Sequence, residues 1–342
     1  MGTQLHLSDA QLGNYLTDIG IFPSGSKVAV EPAGDGNINW VRRATLKGAE
    51  TRSVIVKQAR PALEKFPEYA APPERLAIEA RWFEYASQYD ETDICPEIHH
   101  FDPDHHVLVM EDLGHCVRLD EALAEGRDVT KPMIQLAEFL GRIHAASARE
   151  DAELAKAFSN EAMQRLHGEH IFTLPYQEEF PCPPETAARA VEIRKDSELA
   201  DIAARAYERY LTPKGALVHA DVQAGNILLG PSGPKLLDAE IAHIGDPAFD
   251  VGTLLAHLML SNIAAGVGES AVARPVWSAY CGAHHGTVPR ADDVVRYAGL
   301  ELLRRTIGAA RVPAVEDDDA GLRVLAAAVD MMRGQGENVL HR

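Results

Sequence analysis

The spacing of hydrophobic and polar residues changes along the chain, and the change predicts a β-rich first part and a helical second part. Leu12, Leu16 and Ile19 recur at helical spacing behind Ser8, which predicts a short helix capped by that serine. The segments that follow are short, apolar and rich in β-branched residues, which is typical of strands. They predict strands at residues 28–31, 39–45, 53–57, 98–101 and 107–110.

Helical periodicity appears first at residues 73–89, where Leu76, Ala80 and Phe83 share one face and Glu79 lies near its edge. From residue 119 onward helical patterns dominate, interrupted by two apolar runs that predict strands around a loop. The helices are predicted at 134–146, 187–211 and from about 251 to the end, and the strands at 216–219 and 227–237. The sequence therefore predicts an α+β fold with a small lobe at 1–113 and a larger helical lobe at 114–342.

Composition narrows the range of functions. The chain has 342 residues, of which 46% are hydrophobic and 25% charged, as in an ordinary globular protein. Its formal net charge of −18 disfavours binding to a nucleic-acid backbone. There is no run of about 18 apolar residues, so no membrane span is expected. The four cysteines are far apart and form no CxxC pair, and the N-terminus has no secretory pattern, so a cytoplasmic protein is expected. The oligomeric state stays open, including a homodimer.

The most informative segment is LVHADVQAGNILL at residues 217–229. His219, Asp221 and Asn226 have the H-x-D-x-x-x-x-N spacing of a kinase catalytic loop, and Asp238 follows the next apolar run. This spacing lets a carboxylate meet an acceptor hydroxyl while an amide oxygen and a second carboxylate bind Mg²⁺. We expect Asp221 to be the base and Asn226 and Asp238 to be metal ligands. The alternative is that two acidic strand ends arose independently in a helical protein.

Lys57 and Glu79 are candidates for the ion pair that directs a lysine to the α- and β-phosphates of ATP. A strand lysine and a helical carboxylate are separated here by about twenty residues, as that pairing requires. An ordinary surface pair is the alternative interpretation.

The Gly34-Asp35-Gly36-Asn37 turn is a candidate phosphate-binding loop, because its backbone N–H groups can approach an anion. The same residues suit a simple hairpin. The main chain of Glu111 and Leu113 is a candidate docking edge for adenine, and its alternative is a linker that follows a strand.

The catalytic segment and its continuation KLLDAEIAHIGDPAFDVG at 235–252 resemble the aminoglycoside phosphotransferase superfamily, which includes choline kinase. The family pattern continues in Asp246, Pro247 and Asp250. One departure is Ala220, where the family has glycine. The resemblance implies a protein-kinase-like, two-lobed fold, ATP and Mg²⁺ as cofactors, and buried polar groups that brace the catalytic loop.

Within this superfamily the chain most resembles methylthioribose kinase. The resemblance rests on the turn at 34–37, the lysine strand at 55–59, the helix at 78–80, the hinge-like segment at 109–113 and the Arg304-Arg305-x-Ile307-Gly308 element. It implies that Glu240, in a D-x-E motif with Asp238, joins the metal ligands, and that Arg304 and Arg305 bind the acceptor. For the two arginines, salt bridges to Glu301 are the alternative.

These features predict an ATP-dependent kinase that phosphorylates a hydroxyl of a small sugar-like acceptor. Two alternatives stay open at this point. An aminoglycoside phosphotransferase would suit the acidic composition, although the twin arginines disfavour a polycationic acceptor. A nucleotide-binding pseudokinase that acts as a scaffold would bind ATP without turnover.

Overall fold

The structure is a computed structural model that describes residues 5–34, 38–48, 51–62, 70–149, 151–267, 271–335 and 340. Its contacts divide the chain into two compact units. The first comprises Met1–Gln88 and Cys95–Cys116, and the second comprises Tyr89–Ile94 and Val117–Arg342.

The first unit contains two helices and an antiparallel sheet with strand order β1-β2-β3-β5-β4. Their bounds are α1 Asp9–Asp18, β1 Lys27–Pro32, β2 Trp40–Lys47, β3 Arg52–Gln58, α2 Arg75–Ala86, β4 Ile98–Asp102 and β5 Val107–Glu111. The predicted strands and helices of this part are all present, with ends that shift by a few residues.

Alternation along β3 positions the predicted lysine. Val54 and Val56 point into a core that α1 closes with Leu12 and Leu16. Lys57 is the next residue after Val56, so its side chain leaves the opposite face of the strand. Its neighbours across the sheet are Val41 on β2 and Leu108 on β5.

The second unit is mainly helical. It begins with β6 Val117–Arg118, α3 Leu119–Ala124, α4 Thr130–Ser147, α5 Ala152–Ala157, α6 Glu161–Gly168, a π-helical turn at Glu169–Thr173, α7 Leu174–Gln177, α8 Pro184–Lys195 and α9 Ser197–Leu211. It continues with β7 Ala216–Val218, β8 Ile227–Leu229, β9 Pro234–Leu236, β10 His243–Gly245, α10 Ala248–Ala264, α11 Ala273–Ala283, α12 Ala291–Ile307 and α13 Asp318–Met332. The short strands pair as β10-β7 and β6-β8-β9. The predicted α+β composition is confirmed.

Helix α10 lies at the centre of the second unit and packs against α12 and α13. Glycine allows the close approach of these helices. A Cβ at Gly252 would lie 2.7 Å from the carbonyl oxygen of Val294, and one at Gly299 would lie 2.7 Å from that of Ala328. Because larger side chains would push the helices apart, these two contacts keep α12 close to α10 and α13.

Two predictions for the second unit were wrong in detail. The helix predicted at 187–211 is two helices, because Asp196 is extended and its carboxylate caps α9 by accepting bonds from the N–H groups of Glu198 and Leu199. The strand predicted at 227–237 is the hairpin β8-β9, in which Gly230 and Gly233 form the turn. The apolar residues keep the helical spacing on both sides of Asp196 and the strand pattern on both sides of the turn at 230–233. The pattern of apolar residues alone therefore did not reveal either break.

No helix among the described residues is long and apolar enough to cross a membrane.

Candidate functional site

The predicted catalytic loop connects β7 to β8 in the second unit. β7 is fixed on one side by pairing with β10, and the hydroxyl of Ser147 on α4 accepts a bond of 2.8 Å from the N–H of Leu217. After β7 the chain turns sharply at Ala220, whose φ of 67° lies in the left-handed region. An L-residue with a Cβ pays about 1–2 kcal/mol for this conformation, which glycine adopts freely. Ala220, which stands where the family has glycine, is therefore a strained residue in this loop.

Asp250 on α10 holds the strained turn. Its Oδ2 accepts a bond of 2.7 Å from the N–H of His219, and its Oδ1 accepts one of 2.8 Å from the N–H of Ala220. His144 on α4 lies 3.2 Å from the same carboxylate through Nε2, and its Nδ1 lies 3.0 Å from the hydroxyl of Tyr280. Burial opposes ionisation of Asp250, but these bonds outweigh it and hold its pKa below the usual value. The carboxylate therefore stays charged inside the fold.

Asp221 is buried next to this turn, and its two oxygens have different surroundings. Oδ2 accepts bonds of 2.7 Å from the side-chain amide of Asn226 and 3.0 Å from that of Gln223. Oδ1 faces Nε2 of His167 on α6 at 3.8 Å, which is longer than a hydrogen bond. Burial raises the pKa of Asp221 to about 6, and the positive charge of Arg304 limits the rise. At neutral pH this carboxylate is ionised but more basic than an exposed aspartate.

Three oxygen-bearing side chains of the second unit are the predicted Mg²⁺ ligands. Asn226 donates its amide hydrogens to Asp221, so its Oδ1 is the atom left for a metal. Asp238 follows β9 in a left-handed conformation with a φ of 71°, and carboxylate oxygens of Asp238 and Glu240 lie within 4.8 Å of each other. An amide oxygen and two carboxylates are hard oxygen donors, which is the ligand chemistry that Mg²⁺ prefers. The donor set fits this ion.

Arg304 and Arg305, in the last turn of α12, both bind Glu301 one turn earlier. Arg304 Nη1 lies 3.1 Å from one oxygen of Glu301, and Arg305 Nε lies 2.6 Å from the other. His257 on α10 completes the cluster at 3.2 Å. Burial disfavours the charge of Glu301, but the two guanidinium groups hold its pKa well below the usual range. The salt bridges considered from the sequence are therefore present.

The arginine cluster is also connected to the catalytic loop. Arg305 Nη2 donates a bond of 2.6 Å to Oε1 of Gln223, whose amide group in turn donates to Asp221. Arg304 acts on Asp221 through its charge and has a buried Nε without a hydrogen-bond partner among the described residues. Arg304 and Arg305 can therefore form salt bridges with Glu301 and still lie beside Asp221, the predicted base.

In the first unit, the predicted nucleotide residues are partly described. Lys57 Nζ donates a bond of 2.7 Å to Glu79 Oε2 on α2, and both side chains are buried. This pair is therefore different from the solvated surface pair that was its alternative. Leu113 accepts a bond from the N–H of Cys116, and Glu111 ends β5. Gly34 has a φ of 64°, whereas Asp35, Gly36 and Asn37 lie outside the described residues.

Comparison with known proteins agrees with this geometry. Residues 30–287 match the family described as "Phosphotransferase enzyme family". The chain belongs to the phosphotransferase enzyme family.

Individual relatives refine the assignment within the phosphotransferase enzyme family. The chain is 26% identical to the methylthioribose kinase of Geobacillus sp. strain WCH70, over 92% of this chain and 87% of that protein. It is 28% identical to the methylthioribose kinase of Cronobacter sakazakii, over 89% of this chain and 87% of that protein. The prediction of a small-molecule kinase similar to methylthioribose kinase is confirmed.

A solved structure supports the fold. The choline kinase from Cryptosporidium parvum Iowa II is similar with a TM-score of 0.55 at 13% identity, covering 96% of each chain. Since the identity is low, this likeness concerns the fold alone, and the predicted protein-kinase-like fold is confirmed.

Two residues beside Asp221, Gln223 and His167, were not predicted from the sequence. Gln223 lies inside the catalytic motif, at a position that the motif leaves open, so the spacing carried a weak signal. His167 lies 54 positions before Asp221 in a segment without a recognisable motif. Its place beside the carboxylate is visible only from the packing of α6.

We expect Asp221→Asn to raise the free energy of unfolding at pH 8. A carboxyl group with a pKa of about 6 in the folded state and about 3.9 in the unfolded state stabilises the fold while it is protonated, and that stability is lost as pH rises. Asparagine removes the buried charge and keeps an oxygen for Gln223 and Asn226. Urea denaturation should show a gain of about 1–3 kcal/mol at pH 8 that shrinks towards pH 4. A less stable variant at pH 8 would contradict the raised pKa.

Asp250→Asn should act in the opposite direction. The pKa of Asp250 is lowered, so its ionised form stabilises the fold above its unfolded-state pKa, and this stability is lost as pH falls. The amide would also place a donor against a loop N–H group. We expect a loss of about 2–4 kcal/mol at pH 8 by the same urea assay. If the loss were within 0.5 kcal/mol, which is the usual range for surface substitutions, the proposed bracing of the loop would be wrong.

Proposed function

We propose that the chain transfers the γ-phosphoryl group of ATP to a hydroxyl of methylthioribose or a closely related sugar, with Asp221 as the base. The observation that carries this proposal is the state of Asp221. It is buried and held at one oxygen by Asn226 and Gln223, while its other oxygen is unbonded to them, and its pKa is raised to about 6. A group with this pKa is ionised at neutral pH and is a better proton acceptor than an ordinary aspartate.

The reaction that follows from this arrangement is an in-line displacement. The acceptor hydroxyl gives its proton to Oδ1 of Asp221 while its oxygen forms a bond to the γ-phosphorus. The bond from that phosphorus to the bridging oxygen of ADP breaks, and the proton on Asp221 later passes to solvent. Asn226 and Gln223 keep the carboxylate from rotating during proton transfer, which preserves the geometry that the reaction needs.

Mg²⁺ would be held by Asn226, Asp238 and Glu240, and it would neutralise phosphate charge as the bond to the leaving group breaks. The nucleotide itself is assigned to the residues predicted in the segment 1–113. Lys57, oriented by Glu79, would bind phosphate oxygens, the turn at 34–37 would contact the phosphates, and the main chain of Glu111 and Leu113 would bind adenine. Free cysteines throughout the described sequence and the use of ATP support a cytoplasmic location.

Charge beside Asp221 supports a neutral acceptor. Arg304 and Arg305 carry two positive charges, and Glu301 compensates one of them. His257 is neutral, because burial and then the charge of Arg305 lower its pKa. The cluster therefore has a net charge of about +1, which disfavours a cationic group directly against the arginines and allows hydrogen bonds from guanidinium groups to sugar hydroxyls.

The test is an acceptor screen that measures ADP formation with ATP and Mg²⁺. Methylthioribose, ribosides, amino sugars and aminoglycosides are compared at equal concentrations. We expect methylthioribose or a related riboside to give the highest kcat/KM. Asp221→Asn should lower kcat by about 10² or more and leave the affinity for Mg-ATP within a few fold in calorimetry, because the base is lost and the nucleotide residues are retained.

Asp330→Asn is the matched control, since this aspartate is exposed near the end of α13. It should keep full activity. Preferred phosphorylation of aminoglycosides would overturn the proposed acceptor class, and tight Mg-ATP binding without turnover on any acceptor would favour the scaffold. Full activity in Asp221→Asn would remove Asp221 as the base.

A further inference from the structure

His167 is a buried histidine that the proposed reaction has not yet used. It lies near the end of α6, is 8% exposed and packs edge-on against Phe249 and Tyr210. Its Nε2 has no hydrogen-bond partner among the described residues and faces Oδ1 of Asp221 at 3.8 Å. An unpaired polar atom in such a position is costly to a fold, so a buried one beside a catalytic carboxylate calls for a ligand.

The protonation of His167 follows from its surroundings. Burial, reinforced by the charge of Arg304, lowers its pKa well below the usual value, so the ring is neutral at pH 7. The hydroxyl of Tyr210 lies 3.2 Å from Nδ1. Burial raises the pKa of Tyr210 well above its usual value, so the phenol keeps its proton and is able to donate it to Nδ1. The carboxylate oxygen of Asp221 opposite Nε2 favours this direction, because a hydrogen on Nε2 is attracted to it and a lone pair is repelled. A neutral ring that accepts at Nδ1 carries its hydrogen on Nε2.

The backbone after His167 leaves the regular α-helical conformation, and close contacts with α9 keep the histidine beside Asp221. α6 passes directly into the π-helical turn at Glu169–Thr173, a conformation that is rare and frequent at functional sites. Gly168 lets Tyr207 and Tyr210 approach, since a Cβ there would lie 2.5 Å from the Tyr207 ring. Gln164, one turn before Gly168, donates a bond of 2.7 Å to the carbonyl oxygen of Tyr210. These contacts hold α6, and with it His167, against α9.

We propose that His167 binds the acceptor, donating a hydrogen bond from Nε2 to the same hydroxyl that gives its proton to Oδ1 of Asp221. This inference rests on the proposed function. The gap of 3.8 Å is too long for a direct bond, and one oxygen that enters between the two atoms can lie within hydrogen-bond distance of both. A hydroxyl oxygen has two lone pairs, so a bond to His167 fixes one of them and leaves the other to attack phosphorus. His167 therefore selects acceptors that present a hydroxyl and orients that hydroxyl.

The test compares His167→Gln with His167→Asn. The amide nitrogen of glutamine reaches about as far as the imidazole Nε2, whereas that of asparagine stops near Nδ1. We expect His167→Asn to lower kcat/KM for the acceptor by about ten- to a hundredfold, and His167→Gln to recover most of that loss. The KM for ATP should change less than twofold in both variants, because the nucleotide is assigned to other residues.

Tyr210→Phe provides a second test that leaves His167 in place. Without the phenol, Nδ1 is no longer held as an acceptor and the ring loses its fixed tautomer. We expect a smaller fall in acceptor kcat/KM, and nitrogen NMR of the labelled histidine should show the hydrogen shared between Nδ1 and Nε2. In the wild-type protein the spectrum should show the Nε2–H form, and its shift should move when acceptor is added.

His285→Asn is the control, because His285 is exposed beyond the end of α11 and is not among the residues that brace Asp250 or bond to Asp221. Equal acceptor kinetics in His167→Asn and His285→Asn would overturn the role of His167, while turnover that still depends on Asp221 would leave the proposed function standing. Absence of acceptor turnover in the wild-type protein would instead overturn the proposed function. If His167→Asn does not fold, unchanged acceptor kinetics in Tyr210→Phe together with an Nδ1–H ring in the wild-type spectrum would refute the inference.

Discussion

The carboxylate of Asp250 binds the two consecutive N–H groups at which the loop between β7 and β8 turns, and the position of the proposed base depends on this contact. Ala220 occupies a left-handed conformation that an alanine does not adopt by preference. Two short bonds to a charged acceptor, together with His144 behind it, offset that strain. Since Asp221 is the next residue, the same contact sets the direction of its side chain.

A second constraint is electrostatic. Asp221 is buried beside Asp238, which disfavours its charge, and near Arg304, which favours it. The balance leaves a carboxylate that is basic and still ionised at neutral pH. Glu301 offsets part of the positive charge of the arginines. Gln223 bonds both to Arg305 and to Oδ2 of Asp221, the oxygen that does not face His167. Ionisation of this buried carboxylate costs stability at neutral pH, and such a cost is common at catalytic sites, in agreement with the proposed role of Asp221.

The sequence predicted those features that depend on residues close together in the chain. The loop containing Asp221 and Asn226 was recognisable because its spacing is dictated by chemistry, and the pair of Lys57 and Glu79 because a strand and a helix place them at fixed positions. The break at Asp196 could have been found from its capping preference. His167 could not, because its position depends on the packing of α6 and on a π-helical turn that no local pattern specifies. For Arg304 and Arg305, the pattern did not reveal that Arg305, while paired with Glu301, also bonds to Gln223 beside Asp221.

The role of Asp221 as the base is tested most directly by a crystal structure of the protein with methylthioribose, Mg²⁺ and an ATP analogue that cannot be cleaved. We expect one sugar hydroxyl at hydrogen-bond distance, about 2.6–3.2 Å, from Oδ1 of Asp221. We also expect Asn226 and Gln223 still to bind Oδ2. A complex in which the sugar binds elsewhere, or in which Oδ1 of Asp221 coordinates the metal instead of a hydroxyl, would contradict the assignment of Asp221 as the base.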